Sequence, residues 1–420
     1  MRSTAEIKAG NDPSPGVFAK IGIAVLLLSY AVNAMDRALF PIMLTDVRRE
    51  YVFTLPQAGL MSTVFTLGMA LAGLPTGYLM SRYSRKAVVQ IGIFIFSAAT
   101  IVTVVSSGFL DMLFYRAVTG IGEAMQLTAL LAVFSSYFAR HRGIGVGAVN
   151  GTYGIGAIIG PALGAHMLVS YGTWRAPMIA FGLIGLILIG VVAAFVRPWL
   201  SEANRAGANA EDALAGGAGT LRNWNTAVLL FLSVMAGLAT YGFLGMYPTF
   251  LREYLHYSPA DAGKIVSLYG FGALMSVGGG WLGDRFSPRL VLGCALLAGA
   301  VVGYFLFHGP RDFFGQAALV LAFGIVIGGT IYVNLAACHV RAVTGGLADR
   351  AAGVFVTSFY TSASLAGFTI GWLANAWGWQ AAGDLQLVLL CVVGAVAALL
   401  LRPERMAARR TCSSQATDNG

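Results

Sequence analysis

The sequence predicts an all-α integral membrane protein with twelve transmembrane helices, arranged as two pseudo-repeated bundles of six. Three observations support this prediction: an apolar composition, a regular series of long hydrophobic segments, and an internal repeat. Of the 420 residues, 57% are hydrophobic and only 11% are charged, whereas soluble domains carry about 25% charged residues. The charged residues are too few to cover the surface of a soluble protein of this size.

Twelve segments are long enough to cross a bilayer, which requires about 20 apolar residues each. The bilayer core has no water for unpaired backbone groups, so these segments must be helices. In the first half, the predicted spans are residues 18–43, 57–80, 87–107, 109–136, 143–168 and 175–196. In the second half, they are residues 224–250, 259–282, 288–308, 314–337, 351–374 and 384–402.

A polar, Gly/Ala-rich stretch at residues 197–223 divides the spans six and six, and is typical of a flexible linker. The predicted domains are therefore a first bundle over residues 1–196, this linker, a second bundle over 224–402 and a tail over 403–420. With the N-terminus inside, the cytoplasmic segments hold 19 Lys and Arg residues and the outer loops hold six. Because cytoplasmic loops are enriched in Lys and Arg, we expect both termini to be cytoplasmic.

The two halves carry a repeated segment at a constant offset of 203 residues. Residues 77–89 read GYLMSRYSRKAVV and residues 280–292 read GWLGDRFSPRLVL. Each copy ends an even-numbered span and begins a cytoplasmic loop. A repeat of six spans is typical of secondary transporters, in which two related bundles move about a shared central site.

These features resemble the major facilitator superfamily over nearly the whole chain. The family's loop between the second and third spans reads G-x-L-x-D-R-x-G-R-R/K, and here Ser81 replaces the acid in the first copy. The resemblance implies a gate motif that holds the two halves together on the cytoplasmic side. Its residues are Gly77, Arg82, Arg85 and Lys86 in the first copy and Gly280, Asp284 and Arg285 in the second.

Two further segments resemble the anion:cation symporter branch of that superfamily. Asn33-Ala-Met-Asp36-Arg37 is similar to the branch motif N-x-x-D-R, and residues 116–124, RAVTGIGEA, are similar to R-x-x-x-G-I-G-E. The branch includes sugar-acid transporters and organic-anion carriers, and sphingolipid exporters share similar motifs. The resemblance thus implies transport without identifying the substrate or the direction.

Four ionisable residues lie well inside the predicted spans: Asp36, Arg37, Arg116 and Glu123. Each would cost on the order of 2.5–3.5 kcal/mol if isolated in lipid, so we expect them to face a cavity and one another. Arg binds carboxylates with two parallel hydrogen bonds, and a buried carboxyl beside Arg can exchange protons near physiological pH. Our hypothesis is that Arg37 binds the substrate carboxylate, Glu123 is the main proton carrier with Asp36 assisting, and Arg116 holds Glu123 ionised. The alternative is a static ion-pair network that only fixes helix packing.

The second half has no comparable charge inside its spans and offers polar and aromatic groups instead. We expect these groups to bind the body of a substrate, although for any single residue helix packing is an alternative. With Asn33 and Gln126 of the first half, the predicted substrate-binding residues besides Arg37 are Tyr241, Tyr269, Tyr332, Asn334 and Tyr360.

The sequence therefore favours proton-coupled uptake of a small organic anion by alternating access, with export of an amphipathic compound as the alternative. We expect no enzymatic activity, because no nucleophile–base or metal-ligand spacing is present, and we expect no cofactor or metal. The net charge of +9 is spread between apolar segments, which argues against a nucleic-acid partner. We expect a monomer surrounded by lipid in a bacterial inner membrane.

Overall fold

The computed structural model describes residues 16–138, 142–203 and 217–407, and the regular structure in these ranges is helical apart from one bridge between Ala218 and Val343. The helices of the first half are α1 (Gly16–Tyr51), α2 (Leu55–Thr63), α3 (Phe65–Arg82), α4 (Arg85–Val102), α5 (Phe109–Tyr137), α6 (Arg142–Tyr171), α7 (Arg175–Phe195) and α8 (Pro198–Ser201). Those of the second half are α9 (Trp224–Thr249), α10 (Pro259–Leu274), α11 (Ser276–Arg285), α12 (Pro288–His308), α13 (Phe313–Phe323), α14 (Tyr332–Arg341), α15 (Ala348–Gly383) and α16 (Leu389–Ala398). Wide π-helical turns extend α9, α13 and α15 over Phe250–Tyr254, Gly324–Ile331 and Asp384–Val388.

The described residues contain eleven stretches that are long and apolar enough to cross a membrane, one fewer than the twelve predicted spans. The last stretch, Arg350–Ala398, is 49 residues long and includes the predicted span 351–374 and most of the predicted span 384–402. A straight helix of that length would extend about 74 Å, more than twice the roughly 30 Å hydrocarbon core of a bilayer. Gly378 interrupts the helical path with φ 86° and ψ 167°, in the interval between predicted spans 351–374 and 384–402.

The internal repeat seen in the sequence extends to the backbone. Ser84 caps α4 and Ser287 caps α12, and the side chain of each accepts a hydrogen bond from the amide three residues later. The preceding residues, Tyr83 and Phe286, are both extended, with φ/ψ of −113°/162° and −114°/166°. The matched sequence segments therefore form the same helix–turn–helix connection in both halves.

The helices run alternately between two ends of the molecule. We call the end where α1 meets α2 the distal end, and the end where α7 finishes and α9 begins the linker end. At the distal end, Tyr51 Oη donates to the Ser106 carbonyl at 2.7 Å, and Trp174 Nε1 donates to Glu50 at 2.7 Å. These bonds join the loops after α1, α4 and α6.

The two halves touch through backbone at the distal end, where α2 packs on α15. A Cβ added to Gly59 would lie 1.9 Å from the Gly367 carbonyl oxygen, and one added to Gly367 would lie 2.0 Å from that of Gly59. Thr63 Oγ1 donates to the Ser364 carbonyl at 2.9 Å in the same contact. Towards the linker end of α3, by contrast, a Cβ at Gly77 would meet no atom within 4 Å.

Two ion pairs, which we call the distal ion pairs, also join the halves between α1 and the π-helical turn after α9. Arg252 Nη1 lies 2.6 Å from Asp46 Oδ2, and Arg48 Nη1 lies 2.7 Å from Glu253 Oε1. Arg252 also donates to the Ile42 carbonyl at 3.1 Å. Each half thus contributes one acid and one base to this contact.

We predict that Gly367→Ala destabilises the protein because its methyl group would overlap the backbone of α2. Overpacking of this kind costs about 1–3 kcal/mol, so the melting temperature of the purified protein should fall. The matched control is Gly190→Ala on α7, where an added Cβ meets nothing within 4 Å and Ala favours the helix. Equal melting temperatures for the two variants would contradict the tight α2–α15 contact.

Candidate functional site

A cavity of about 830 Å³, here called the central cavity, lies between the two halves. Its wall combines aromatic and aliphatic side chains with a few polar groups, a lining that is typical of small-molecule sites. A second cavity of about 500 Å³ lies on its distal side and shares Arg37, Tyr153, Tyr241, Leu244 and Tyr269 with it. The residues that line the central cavity are Tyr30, Arg37, Leu127, Leu131, Asn150, Tyr153, Thr240, Tyr241, Leu244, Tyr269, Ala273, Ser276, Ile327, Gly328, Tyr332, Val333, Phe359 and Tyr360.

An ion pair between Arg37 of α1 and Glu123 of α5 lies at the wall of the central cavity. Arg37 Nε is 3.2 Å from Glu123 Oε2, and the two side chains are 5% and 0% exposed. Arg37 Nη2 also donates to the Glu123 carbonyl at 3.5 Å. The structure therefore places the predicted substrate-binding arginine against the predicted proton carrier.

Asp36 points away from Arg37, as expected for neighbours about 100° apart on a helix. Its two carboxyl oxygens accept hydrogen bonds from Thr100 Oγ1 of α4 at 3.1 and 3.0 Å. The Asp36 carboxyl is also within hydrogen-bonding reach of the Glu123 carboxyl. The contact with Arg37 is an ion pair without hydrogen-bond geometry, so the Glu123 side-chain oxygens accept no hydrogen bond from the described residues. A proton shared between the two acids would form a hydrogen bond between them.

Arg116 is fully buried and makes no ion pair with Glu123 in the structure. Its guanidinium carbon lies 4.4 Å from the ring centre of Phe40 and 5.6 Å from that of Phe65. None of its three side-chain nitrogens has a hydrogen-bond partner among the described residues. Its charge acts on Asp36 and Glu123 from a distance, so the direct contact with Glu123 belongs to Arg37.

Asn33 and Gln126 form a buried polar contact between α1 and α5 and do not line the central cavity. Asn33 Nδ2 donates to Gln126 Oε1 at 2.9 Å and to the Glu123 carbonyl at 3.3 Å, and Gln126 Nε2 donates to Ser29 Oγ at 3.0 Å. These bonds hold α1 and α5 in register beside the Arg37–Glu123 pair. In this conformation, both residues position the site and do not face it.

Of the residues predicted in the second half, Tyr241, Tyr269, Tyr332 and Tyr360 all line the central cavity. The hydroxyl groups of Tyr332 and Tyr360 are 3.4 Å apart and share a hydrogen bond. Asn334 does not line the cavity. Its Nδ2 donates to the carbonyls of Gly279 and Thr330, each at 2.8 Å, and its side chain occupies the space that a Cβ on Gly283 would need.

The central cavity is also lined by Tyr30, Tyr153 and Asn150, which were not predicted from the sequence. Tyr30 precedes Arg37 by seven residues, two helical turns, so the helical period alone places it on the same face of α1. Tyr153 and Asn150 had no such signal. They reach the cavity because α6 packs closely on α1, where a Cβ on Gly156 of α6 would lie 2.5 Å from the Cβ of Ala34.

The gate-motif residues lie at the linker end, and the contacts described for most of them stay within one half. Lys86 Nζ donates to the Ala193 and Val196 carbonyls at 2.8 and 2.7 Å. Arg85 Nη1 donates to the Ala203 carbonyl at 3.3 Å, the Arg82 guanidinium carbon lies 4.8 Å from the Tyr78 ring centre, and that of Arg285 lies 5.6 Å from the Trp281 ring centre. Gly77, Gly280 and Asp284 occupy the matched ends of α3 and α11.

Among the described residues, no group of three or more His, Cys, Asp or Glu side chains is arranged to hold a metal ion. The central cavity and its wall hold one guanidinium, two carboxyl groups that can share a proton, and a surrounding set of phenol hydroxyls.

Comparison with known proteins relates this chain to transport proteins. It is 29% identical to the probable L-galactonate transporter of Escherichia coli K12 over 39% of this chain and 37% of that protein. It is 24% identical to the 4-hydroxybenzoate transporter PcaK of Pseudomonas aeruginosa over 90% of this chain and 92% of that protein. In the first of these matches, the chain spans less than half of its relative's length.

A solved structure shares the fold. It is a bacterial homologue of the human lysosomal transporter Spinster, in an inward-facing and occupied conformation. The two structures superpose with a TM-score of 0.74 at 15% sequence identity, covering 93% of this chain and 97% of the other. At this identity, the likeness concerns the fold alone.

The sequence profile of the Major Facilitator Superfamily matches residues 26–368 of this chain. The match includes the ion pair of α1 and α5, both copies of the gate motif and all residues that line the central cavity. The resemblance noted in the sequence is thereby confirmed: this chain belongs to the Major Facilitator Superfamily.

Proposed function

We propose that the protein is a secondary active transporter that takes up a small organic anion together with protons by alternating access. The observation that carries this proposal is the Arg37–Glu123 ion pair at the wall of the central cavity, with both side chains buried. A buried ion pair with one face towards a cavity can exchange its internal anion for an external one. The names of two relatives, which refer to L-galactonate and 4-hydroxybenzoate, support an organic anion as the substrate.

The proposed coupling follows from the number of charges. When Glu123 is ionised, its carboxylate lies 3.2 Å from Arg37 and neutralises the charge of the guanidinium. A substrate anion is then attracted only weakly to Arg37. When Glu123 takes up a proton, Arg37 is left with an unpaired positive charge and binds the substrate carboxylate through its planar fork. Asp36, in reach of Glu123, receives or passes on that proton. Substrate and proton therefore bind together.

The proposed topology has twelve spans, cytoplasmic termini and a cytoplasmic linker between two six-helix bundles. The break at Gly378 supports twelve spans because it separates two segments that are each long enough to cross the membrane. The excess of Lys and Arg at the linker end supports a cytoplasmic location for that end. We further propose a monomer in a bacterial plasma membrane, in line with the bacterial source of both relatives named above.

In the alternating-access cycle that we propose, the distal end must open while the linker end closes. Opening the distal end would break the Asp46–Arg252 and Arg48–Glu253 pairs and separate Gly59 from Gly367. The gate motif would then join the halves at the linker end, with Asp284 as its acid. The distal ion pairs thus oppose opening of the distal end, and the gate motif opposes opening of the linker end.

An alternative is export of an amphipathic compound, which the apolar part of the cavity lining also supports. Most lining residues are aromatic or aliphatic, and such walls also suit a lipid-like substrate. The two functions differ in their dependence on Arg37, because a neutral amphipathic substrate has no need of a buried guanidinium.

We predict that Glu123→Gln abolishes proton-driven uptake, because the amide cannot carry a proton. In proteoliposomes with an acidic exterior, accumulation of labelled L-galactonate or 4-hydroxybenzoate above that in protein-free liposomes should fall at least about tenfold, while exchange of substrate across the membrane continues. The matched control is Asp261→Asn, which removes an exposed carboxyl at the distal end. Uphill uptake by Glu123→Gln would exclude Glu123 as the proton carrier.

We predict that Arg37→Ala weakens substrate binding by about 10- to 100-fold, because a hydrogen bond to a charged group contributes about 1.5–3 kcal/mol. Arg37→Lys should recover part of the affinity, since it keeps the charge and loses the fork. The measurement is the concentration of substrate that gives half-maximal uptake or binding. Unchanged affinity in Arg37→Ala would favour the export of a neutral compound.

We predict that reversing one charge of the Asp46–Arg252 pair opens the distal end and that reversing both closes it again. In Asp46→Arg, like charges face each other across the two halves, whereas Asp46→Arg with Arg252→Asp restores an ion pair. The measurement is the distance between spin labels at Arg49→Cys and His256→Cys, on a background without the native cysteines. A distance that stays the same in the single variant would show that this pair does not hold the distal end.

A further inference from the structure

We propose that the central cavity selects a flat aromatic monocarboxylate over polyhydroxylated acids and over dicarboxylates. This inference rests on the proposed function, because it assigns the carboxylate of the substrate to Arg37. It adds the chemical class of the rest of the molecule, which is determined by the lining of the central cavity.

The charge of the lining points to a single carboxylate. Among the described residues that line the central cavity, Arg37 alone carries a charge. When Glu123 is protonated, the site therefore gains one positive charge and no more. A second carboxylate on the substrate would be removed from water without a cation to pair with, which is strongly unfavourable.

The rings of the lining point to an aromatic body. Seven of the lining residues are aromatic, and several meet edge to face. The ring of Tyr241 lies 6.1 Å from that of Phe359 at 75° and 6.0 Å from that of Tyr360 at 65°. Aromatic rings prefer this arrangement to a face-to-face stack. A flat substrate ring between α9 and α15 would pack edge to face against these side chains in the same way.

The hydrogen-bonding groups of the lining argue against a polyhydroxylated body. Besides the phenols, the neutral polar side chains of the lining are Asn150, Thr240 and Ser276. Two of the six phenols, those of Tyr332 and Tyr360, are already bonded to each other. A substrate with many hydroxyl groups needs a partner for each one that leaves water, whereas Leu127, Ile327 and Val333 offer none.

The test is equilibrium binding of radiolabelled benzoate to the purified full-length protein, with three unlabelled competitors. Cyclohexanecarboxylate lacks the aromatic ring, benzene-1,4-dicarboxylate adds a second charge, and gluconate replaces the ring by a polyol. We expect benzoate to bind and each competitor to bind at least about tenfold more weakly than unlabelled benzoate. A binding measurement is preferred to uptake because benzoic acid crosses bilayers unaided.

Two results would overturn the inference, and only the second would also overturn the proposed function. If any of the three competitors binds as well as benzoate, the inference is wrong and the proposed transport of organic anions stands. If none of the four acids binds at any pH between 5 and 8, the proposed function fails as well.

A variant series at Tyr241 separates the ring from its hydroxyl group. Tyr241→Leu should reduce the preference for benzoate over cyclohexanecarboxylate to less than about threefold, while Tyr241→Phe keeps it. The matched control is Tyr304→Leu on α12, which is 45% exposed and outside the cavity. If the preference persists in Tyr241→Leu, this ring does not set the selectivity; if that variant fails to fold, the competitor series on the native protein decides.

Discussion

Burial of charge away from water is the constraint on which the arrangement of the first half depends. Asp36, Arg37, Arg116 and Glu123 are all at most 6% exposed, and an ion removed from water costs several kcal/mol unless it is paired or hydrogen-bonded. The pairing is made between helices: Arg37 of α1 meets Glu123 of α5, and Asp36 of α1 accepts from Thr100 of α4. The position of α1 is therefore tied to both neighbours by polar contacts that have no substitute in lipid.

Close helix packing makes these contacts possible, and small residues provide it. A Cβ on Gly120 of α5 would lie 1.7 Å from the Phe65 carbonyl oxygen, so α3 approaches α5 closely and brings the Phe65 ring near the Arg116 guanidinium. Gly160 of α6 meets the backbone of Met35 in the same way. Small residues are common at such membrane-helix interfaces because they let backbones approach, and here they bring the ionic site and the wall of the cavity together.

α1 links the ionic site to the distal ion pairs. Pro41 lies between them and has no amide hydrogen, so the Arg37 carbonyl loses its helical partner. One residue further, the Ile42 carbonyl accepts a hydrogen bond from Arg252 of the other half. The ionic site and the contact that joins the halves at the distal end thus lie on the same helix. The repeat reproduces the capped turns in both halves but not these buried charges, so the halves differ in chemistry more than in backbone.

The sequence by itself determined the helical membrane fold, the repeat and the set of buried charges, because these depend on local hydropathy, capping residues and helical period. Only the tertiary structure decided which charges meet. Arg116 and Glu123 share a face of α5, but seven residues separate them by about 10.5 Å along the axis, too far for an ion pair, and Arg37 of α1 takes that place. The same reason explains the other differences. Tyr153 faces the cavity and Asn334 packs between helices because of how neighbouring helices lie against them, and hydropathy along one segment contains no information about its neighbours.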